Sequence, residues 1–338
     1  MTLENMRKRQ ASAARLSVIV PMYNEEDNIR PLYRRLAAVL QPLVKEYEVI
    51  FVDDGSMDGS RRAVEELHRE DGRVRLIGLT RNFGHEAATT AGLDFADGDA
   101  VVIIDADLQD PPEVIAEMVS RWEEGYDVVY GRRMERKGEP WPKRLSSRLF
   151  YRMMKWLADV EIPVDTGDFR LIDREVVRRF RLLRERNRFV RAEIAWLGGS
   201  AAEVPYQREP RLGGRTKYSP VKRMRLAIDG ITSFSTTPLH IMSVLGALML
   251  LASFVAILVV LVQKIFFSLQ VPGYAFLVIS LFLLNGTEVF FIGLLGEYLG
   301  RTYREVQERP LYLVSAMTGF EGEEDGKGPL PGDVRTRE

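Results

Sequence analysis

The sequence predicts a doubly wound α/β domain with a mostly parallel sheet, followed by two apolar C-terminal helices. Three observations lead there. Short Val/Ile-rich runs recur five times between residues 16 and 131. Helical apolar spacing fills the gaps between them. Two stretches almost free of charge, Leu239–Val262 and Tyr274–Gly296, follow near the end. Near-continuous apolar strands suit a parallel sheet covered on both faces, and strand–helix alternation gives the doubly wound arrangement.

The elements follow in order. Residues 1–15 are polar, with no apolar run before Leu16, and are expected to form a mobile tail without a signal peptide. LSVIVP (16–21), YEVIFVDD (47–54), VRLIGL (74–79), AVVIIDAD (100–107) and YDVVYG (126–131) read as strands. Ile29, Leu32, Tyr33, Leu36 and Leu40 repeat at helical spacing, as do Asp58–Leu67 and Pro111–Trp122. Further helices are expected near 143–158, 173–184 and 188–197. A catalytic domain over 16–218 accounts for these elements. Residues 219–237 place apolar Val221, Met224, Ala227 and Ile228 among Lys222, Arg223 and Arg225. That pattern suits a juxtamembrane amphipathic segment.

Helix 238–263 carries no charge in its core, and helix 274–299 carries Glu288 and Glu297. At about 1.5 Å per residue, each is long enough to span a hydrocarbon core of about 30 Å. Basic residues flank the pair, and the loop between them holds only Lys264. Both termini and the catalytic domain are therefore expected on the cytoplasmic side of the inner membrane. Residues 300–338 are expected to form a cytoplasmic tail whose PLYLV (310–314) suits an edge strand, one that could pair with a neighbouring subunit.

Composition narrows the chemistry. The chain has 47 Lys+Arg against 48 Asp+Glu, so bulk charge gives no case for nucleic acid. There is no Cys and only three His, which excludes thiolate, zinc-finger and iron–sulfur chemistry. Any metal is expected on oxygen ligands, as for Mg²⁺ or Mn²⁺.

Ligands of doubly wound sheets sit at the carboxyl ends of the strands. Here those ends read Pro21-Met22-Tyr23-Asn24-Glu25, Asp53-Asp54-Gly55-Ser56 and Asp105-Ala106-Asp107-Leu108-Gln109-Asp110. So many carboxylates repel one another without a cation. Asp58 and Asp110 precede helices and read as caps. Asp105 and Asp107 stand at i and i+2 on a strand end, so both point one way and can reach one divalent ion. Neither GxGxxG nor GxxxxGK occurs, so the usual phosphate loops are missing.

These residues carry a resemblance. VIVPMYNEEDNI, FVDDGSMDGS, RNFGHEAATTAGLDFADGDAVVIIDADLQDPPE and DTGDFRLIDREVV are similar to family 2 glycosyltransferases with a GT-A fold. They most resemble the polyprenyl-phosphate glycosyltransferases, the bactoprenol glucosyltransferases and dolichol-phosphate mannose synthases. The likeness covers about residues 16–235. It implies inverting transfer of a hexose, glucose from UDP-glucose by preference, to undecaprenyl phosphate, giving a lipid-linked sugar. It also implies Mg²⁺ or Mn²⁺, a membrane setting and a homo-oligomer.

Residue by residue, the resemblance makes Asp105 and Asp107 the DxD pair, with Asp107 nearest the metal, Gln109 beside it and Ala106 between them against the nucleotide sugar. Pro21, Tyr23, Glu25, Asp53 and Asp54 would hold base and ribose. Arg81 and His85 would line the nucleotide pocket, His85 not being expected as a metal ligand. Asp168 matches a carboxylate beside sugar or acceptor, and Arg170 near it would bind the acceptor phosphate. The basic stretch 131–148 offers Arg132 and Arg148 for the lipid phosphate. Arg211, Arg215 and Lys217 belong to a Gly-containing loop suited to closing over the diphosphate.

Four readings compete at this level. They are hexosyl transfer to a polyprenyl phosphate (GDP-mannose being the alternative donor), a processive polysaccharide synthase, a non-catalytic nucleotide-sugar scaffold, and a transporter subunit centred on Glu288. A processive synthase calls for a QxxRW-type motif, and NRFVRAEIAW (187–196) does not match one.

Overall fold

The computed structural model describes residues 9–134, 166–186, 188–209, 237–267 and 273–320. They fall into two compact units. One holds the described residues up to 209 together with 309–320, and the other holds those between 237 and 308.

The first unit is built on an eight-stranded sheet. Its strands are β1 (Arg15–Met22), β2 (Glu46–Asp53), β3 (Val74–Leu79), β4 (Ala100–Ile103), β5 (Val128–Arg133), β6 (Thr166–Asp173), β7 (Ala201–Tyr206) and β8 (Val314–Thr318). The spatial order is β7-β5-β6-β4-β1-β2-β3-β8. The run β4-β1-β2-β3 is parallel. Strand β6 runs antiparallel between β4 and β5, and β7 is parallel to β5. The sheet is thus mixed: a parallel half, and a half reversed by β6.

Helices cover both faces. One core packs α1 (Glu26–Leu43), α2 (Ser60–Glu70) and α4 (Ile115–Glu123) against Val18, Val20, Val49, Phe51 and Val102. The other packs α3 (His85–Phe95), α5 (Arg174–Phe180) and α6 (Val190–Trp196) against Ile19, Ile50, Val52 and Ile103. Alternate residues of each strand feed opposite cores, as the pleat requires. Helix α3 buries every residue from Ala87 to Leu93. A Cβ on Gly92 would lie 2.3 Å from Ile19 Cγ2, so small residues let this helix ride close on β1. Pro21 is tolerated in the central β1 because pairing with β4 ends at Ile19, and no ladder bond is asked of position 21 on that side.

Two expectations are corrected. Residues 9–15, expected within a mobile tail, are tied down from Arg9 onward. Arg9 lies 2.8 Å from Asp127 Oδ1 and 3.1 Å from Asp173 Oδ2, and its guanidinium stacks on Trp122. The edge strand lies at 314–318 rather than 310–314, and it pairs antiparallel with β3 of its own chain. Tyr312, 3% exposed, anchors it by donating to Asp94 Oδ2 at 2.8 Å. Tyr312→Ala is expected to cost this unit about 3 kcal/mol, and Tyr312→Phe about 1 kcal/mol, in chemical denaturation.

The second unit contains α7 (Thr237–Phe267) and α8 (Tyr274–Val306). Each is one unbroken helix and overruns the expected 238–263 and 274–299. Among the described residues alone, no helix is long and apolar enough to cross a membrane. The expected amphipathic segment 219–237 and the helix near 143–158 lie outside the described residues, apart from Thr237. The helices expected at 173–184 and 188–197 are the shorter α5 and α6.

Candidate active site

The carboxyl ends of β1, β2 and β4 and the start of β6 converge on one crevice. After β2 the chain turns sharply. Asp53 Oδ1 accepts from Ser56 N at 2.9 Å, and Gly55 adopts φ +73°. A Cβ there would come within 2.6 Å of the Arg81 carbonyl carbon, so only glycine fits. Asp54 is buried. Its two oxygens accept from Phe83 N at 2.7 Å and Gly84 N at 2.9 Å. Burial raises this carboxyl against the pull of those amides. Asp54 therefore holds the loop that delivers His85 to the start of α3.

That loop creates the centre of the site. His85 Nε2 lies 3.7 Å from Asp105 Oδ1 and 3.4 Å from Asp168 Oδ2. Ligand atoms of these three residues all lie within 4.8 Å of one another. Burial disfavours charge on the His85 ring. The Asp168 hydrogen bond and the Asp105 charge outweigh it and push the imidazole up to about 10. Burial, then the carboxylates of Asp168, Asp110 and Asp107, push Asp105 up to about 6 against the pull of His85. The imidazolium thus does here what a cation does among crowded carboxylates.

Asp107 sits beside this group, accepting from Gln109 N at 3.1 Å. Leu108 between them takes φ +58°, a strained conformation for a branched side chain, held by its burial in the core. Arg208 lies 3.9 Å from Asp107 Oδ2 and 3.6 Å from Asp110 Oδ1. Asp110, read as a cap, is instead buried and accepts from Tyr206 Oη at 2.5 Å, with Arg133 at 3.4 Å. Asp58 lies one residue before the N-cap Gly59 and accepts from Ser60 N at 3.0 Å, so it serves the helix start from just outside the cap position.

Asp168 is gripped on both oxygens by Arg191, at 2.5 Å (Nε–Oδ1) and 2.6 Å (Nη2–Oδ2). Burial raises its carboxyl, but the bonds from His85 and Arg191 outweigh this and hold it well below the usual range.

Residues 17–181, which contain every part of this crevice except Arg191, Tyr206 and Arg208, match the family model Glycosyl transferase family 2. An uncharacterized glycosyltransferase of Synechocystis sp. is 45% identical over 306 residues, covering 90% of this chain and 96% of that protein. The chain belongs to glycosyl transferase family 2. A bactoprenol glucosyl transferase of Shigella phage SfII is 39% identical, covering 89% of this chain and 97% of that one. A prophage bactoprenol glucosyl transferase homolog of Escherichia coli is 38% identical, at 90% and 99% coverage.

Within this glycosyltransferase, the expected site residues divide. Asp105, Asp107 and Asp168 stand at the crevice, with Gln109 beside them. Tyr23, half-buried, and Glu25, whose Oε2 accepts from Asn28 Nδ2 at 2.6 Å, follow the end of β1. Ala106, expected against the nucleotide sugar, has its side chain in the core. Asp54 has both oxygens on loop amides and Asp53 has Oδ1 on one, so both shape the loops of the crevice. Arg81 is exposed and stacks on Phe83, 4.1 Å from the ring centroid. Arg170 is not an open phosphate grip. It is 1% exposed, lies over Tyr130 and donates to the carbonyls of Gly167 and Asp168. Arg132 pairs with Glu203 at 3.2 Å on the surface; its neighbour Arg133 turns to the Asp110 side. Arg148, Arg211, Arg215 and Lys217 lie outside the described residues.

His85 was not expected as a possible ligand, and Glu86, Arg191 and Arg208 were not singled out for the site. The sequence signal for His85 was its place after Gly84, at a helix start following β3. Arg191 carried none, since its partner lies on another element.

Proposed function

We propose that this glycosyltransferase transfers a hexose, glucose from UDP-glucose, to a polyprenyl phosphate at the cytoplasmic face of a membrane. The observation that supports the acceptor is the 38–39% identity, over nearly the whole chain, to relatives named bactoprenol glucosyl transferase. The carboxylate-rich crevice supports the donor chemistry.

The donor set fits a hard divalent cation. Asp105 and Asp168 bring carboxylate oxygens together, Asp107 and Gln109 stand beside them, and His85 would offer nitrogen only on giving up its proton as the ion enters. Mg²⁺ or Mn²⁺ held by Asp105 and Asp107 would neutralise the charge of the departing nucleoside diphosphate. The chain's own residues do the rest. An acceptor phosphate oxygen attacks the anomeric carbon, and a C–O bond forms with inversion. The bond to the diphosphate breaks, and its electron pair leaves with the diphosphate. The attacking phosphate is already anionic, so no strong base is needed. Asp168, fixed by Arg191, serves as a placed negative charge facing the sugar. Asp53 and Asp54 keep the loops that form the crevice in register.

The membrane reading rests on α7 and α8. At about 1.5 Å per residue, their 31 and 33 residues exceed a hydrocarbon core of about 30 Å in length, and the full sequence supplies the apolar runs 239–262 and 274–296 that the described residues alone do not complete. Their exposed side chains include Val244, Leu248, Leu251, Phe254, Leu281, Phe290 and Ile292. An exposed apolar surface of this kind calls for lipid. Glu288 lies on α8, and Glu288→Gln is expected to leave transfer in detergent within about twofold of wild type; a severe loss would assign it a functional role.

The test supplies purified protein and Mg²⁺ with undecaprenyl phosphate. UDP-glucose, UDP-galactose and GDP-mannose are offered separately, and nucleotide release is followed. Release that depends on the lipid, with UDP-glucose preferred, is expected. Preference for GDP-mannose would move the assignment to mannosyl transfer, and lipid-independent release would overturn the acceptor.

A further inference from the structure

The segment NRFVRAEIAW fails the acceptor motif of processive synthases, yet it delivers a residue to the centre of the site. We infer that Arg191 is a positioning residue for the transfer reaction. It locks Asp168 in one orientation through a two-point clamp that Glu86 holds from behind. The inference rests on the glycosyl-transfer reading and names a part of its machinery.

Four sets of contacts carry it. The Arg191 guanidinium meets the Asp168 carboxylate edge-on, Nε to one oxygen and Nη2 to the other, at 2.5 and 2.6 Å. A planar fork on a planar carboxylate fixes rotation as well as distance, which a single ammonium contact cannot do. Arg191 stands in the first turn of α6, and that turn is pinned. Glu86 Oε2 accepts from Val190 N at 3.0 Å. Glu86 lies in the first turn of α3, next to His85, whose Nε2 faces Asp168 Oδ2. The dipeptide His85-Glu86 therefore bears on Asp168 twice, directly through the ring and indirectly through α6. From below, Arg170 donates to the carbonyls of Gly167 and Asp168 and fixes the backbone that carries the carboxylate.

Asp168 is thus constrained from three sides, by Arg191, by His85 and by the backbone that Arg170 holds. A carboxylate that must only present charge at a reacting centre gains from such fixation, because a displacement of about 1 Å costs about 100-fold in rate. A carboxylate that must accept a proton would be poorly served by a guanidinium on both oxygens.

The experiment is a double-mutant cycle on the full-length protein with Arg191→Gln, Asp168→Asn and both together. It measures kcat, the donor KM and UDP affinity, with Arg191→Lys as the conservative variant. Arg191→Gln is expected to lower kcat about 10- to 100-fold with donor KM and UDP affinity within about twofold. The pair should lose little more than Asp168→Asn alone, because both changes remove one interaction. Arg191→Lys should recover part of kcat. Additive losses, or a fall in UDP affinity equal to the fall in kcat, would overturn the inference. So would wild-type kcat in Arg191→Gln. Circular dichroism and thermal unfolding of each variant separate misfolding from mispositioning, and Arg191→Lys keeps the test open if the Gln variant fails to fold. Absence of lipid glycosylation by wild type itself would overturn the functional reading instead.

Discussion

Asp107→Asn is expected to lower kcat by about 1,000-fold or more while leaving the folded structure intact. Asp107 stands beside Asp105 in the turn that follows β4, where the sheet converges its acidic groups. The change keeps size and shape but removes one of the charges that a divalent ion needs. A loss of about 4 kcal/mol in transition-state stabilisation corresponds to that factor. Folding has less at stake, because the Asp107 Oδ1 bond to Gln109 N can be kept by an amide oxygen. The check is kcat at saturating donor over a titration of Mg²⁺ and Mn²⁺, beside thermal unfolding. Retention of more than a tenth of the activity at any metal concentration would remove Asp107 from the metal site.

Asp168→Asn is the second large effect, and it reaches both activity and stability. The substitution leaves the Arg191 guanidinium with one acceptor in place of two and takes away its counter-charge. Breaking this half-buried pair on one side costs roughly 2 kcal/mol, and kcat is expected to fall about 100- to 1,000-fold. The pH dependence has a definite sign. Burial raises the Asp168 carboxyl, but His85 and Arg191 together hold it well below its ordinary 3.8. A depressed carboxyl contributes stability that is present above its unfolded value and is lost as pH falls through the folded one. The stability gap between wild type and Asp168→Asn should therefore be full near about pH 5 to 6.5 and close in acid as Asp168 is protonated. It should also narrow as pH rises from about 6.5 toward 10, because burial disfavours charge on His85 and Asp168 is the main group holding it protonated. A gap that stays flat above about pH 7 would contradict the His85–Asp168 pairing.

How much of this was legible follows from the residues. Strands β1 to β5 stood out as runs of Val and Ile fed to two cores. Strand β6 did not, because Asp168, Arg170 and Asp173 break up TGDFRLID, and nothing local shows that Arg170 is buried over Tyr130. Helix α3 was hidden for the opposite reason. Both of its faces are small and buried, so HEAATTAGLDF has no polar stripe to set its period. The DxD pair was legible because its i, i+2 spacing is itself the chemistry. The His85–Asp105–Asp168 group was not, since the three belong to α3, the end of β4 and β6. Asp110 looked like a cap from sequence, and only β7 reveals Tyr206 as its partner. Arg170 looked like a phosphate ligand, and burial turned it into backbone support.

The most direct measurement of the central account is the product itself. Purified wild-type protein, Mg²⁺, UDP-glucose and undecaprenyl phosphate are incubated, and the lipid is recovered for mass spectrometry and phosphorus NMR. The account predicts a lipid heavier by one hexose, with its phosphomonoester converted to a phosphodiester. Unchanged undecaprenyl phosphate alongside released UDP, or hexose attached to a hydroxyl rather than to the phosphate, would contradict it.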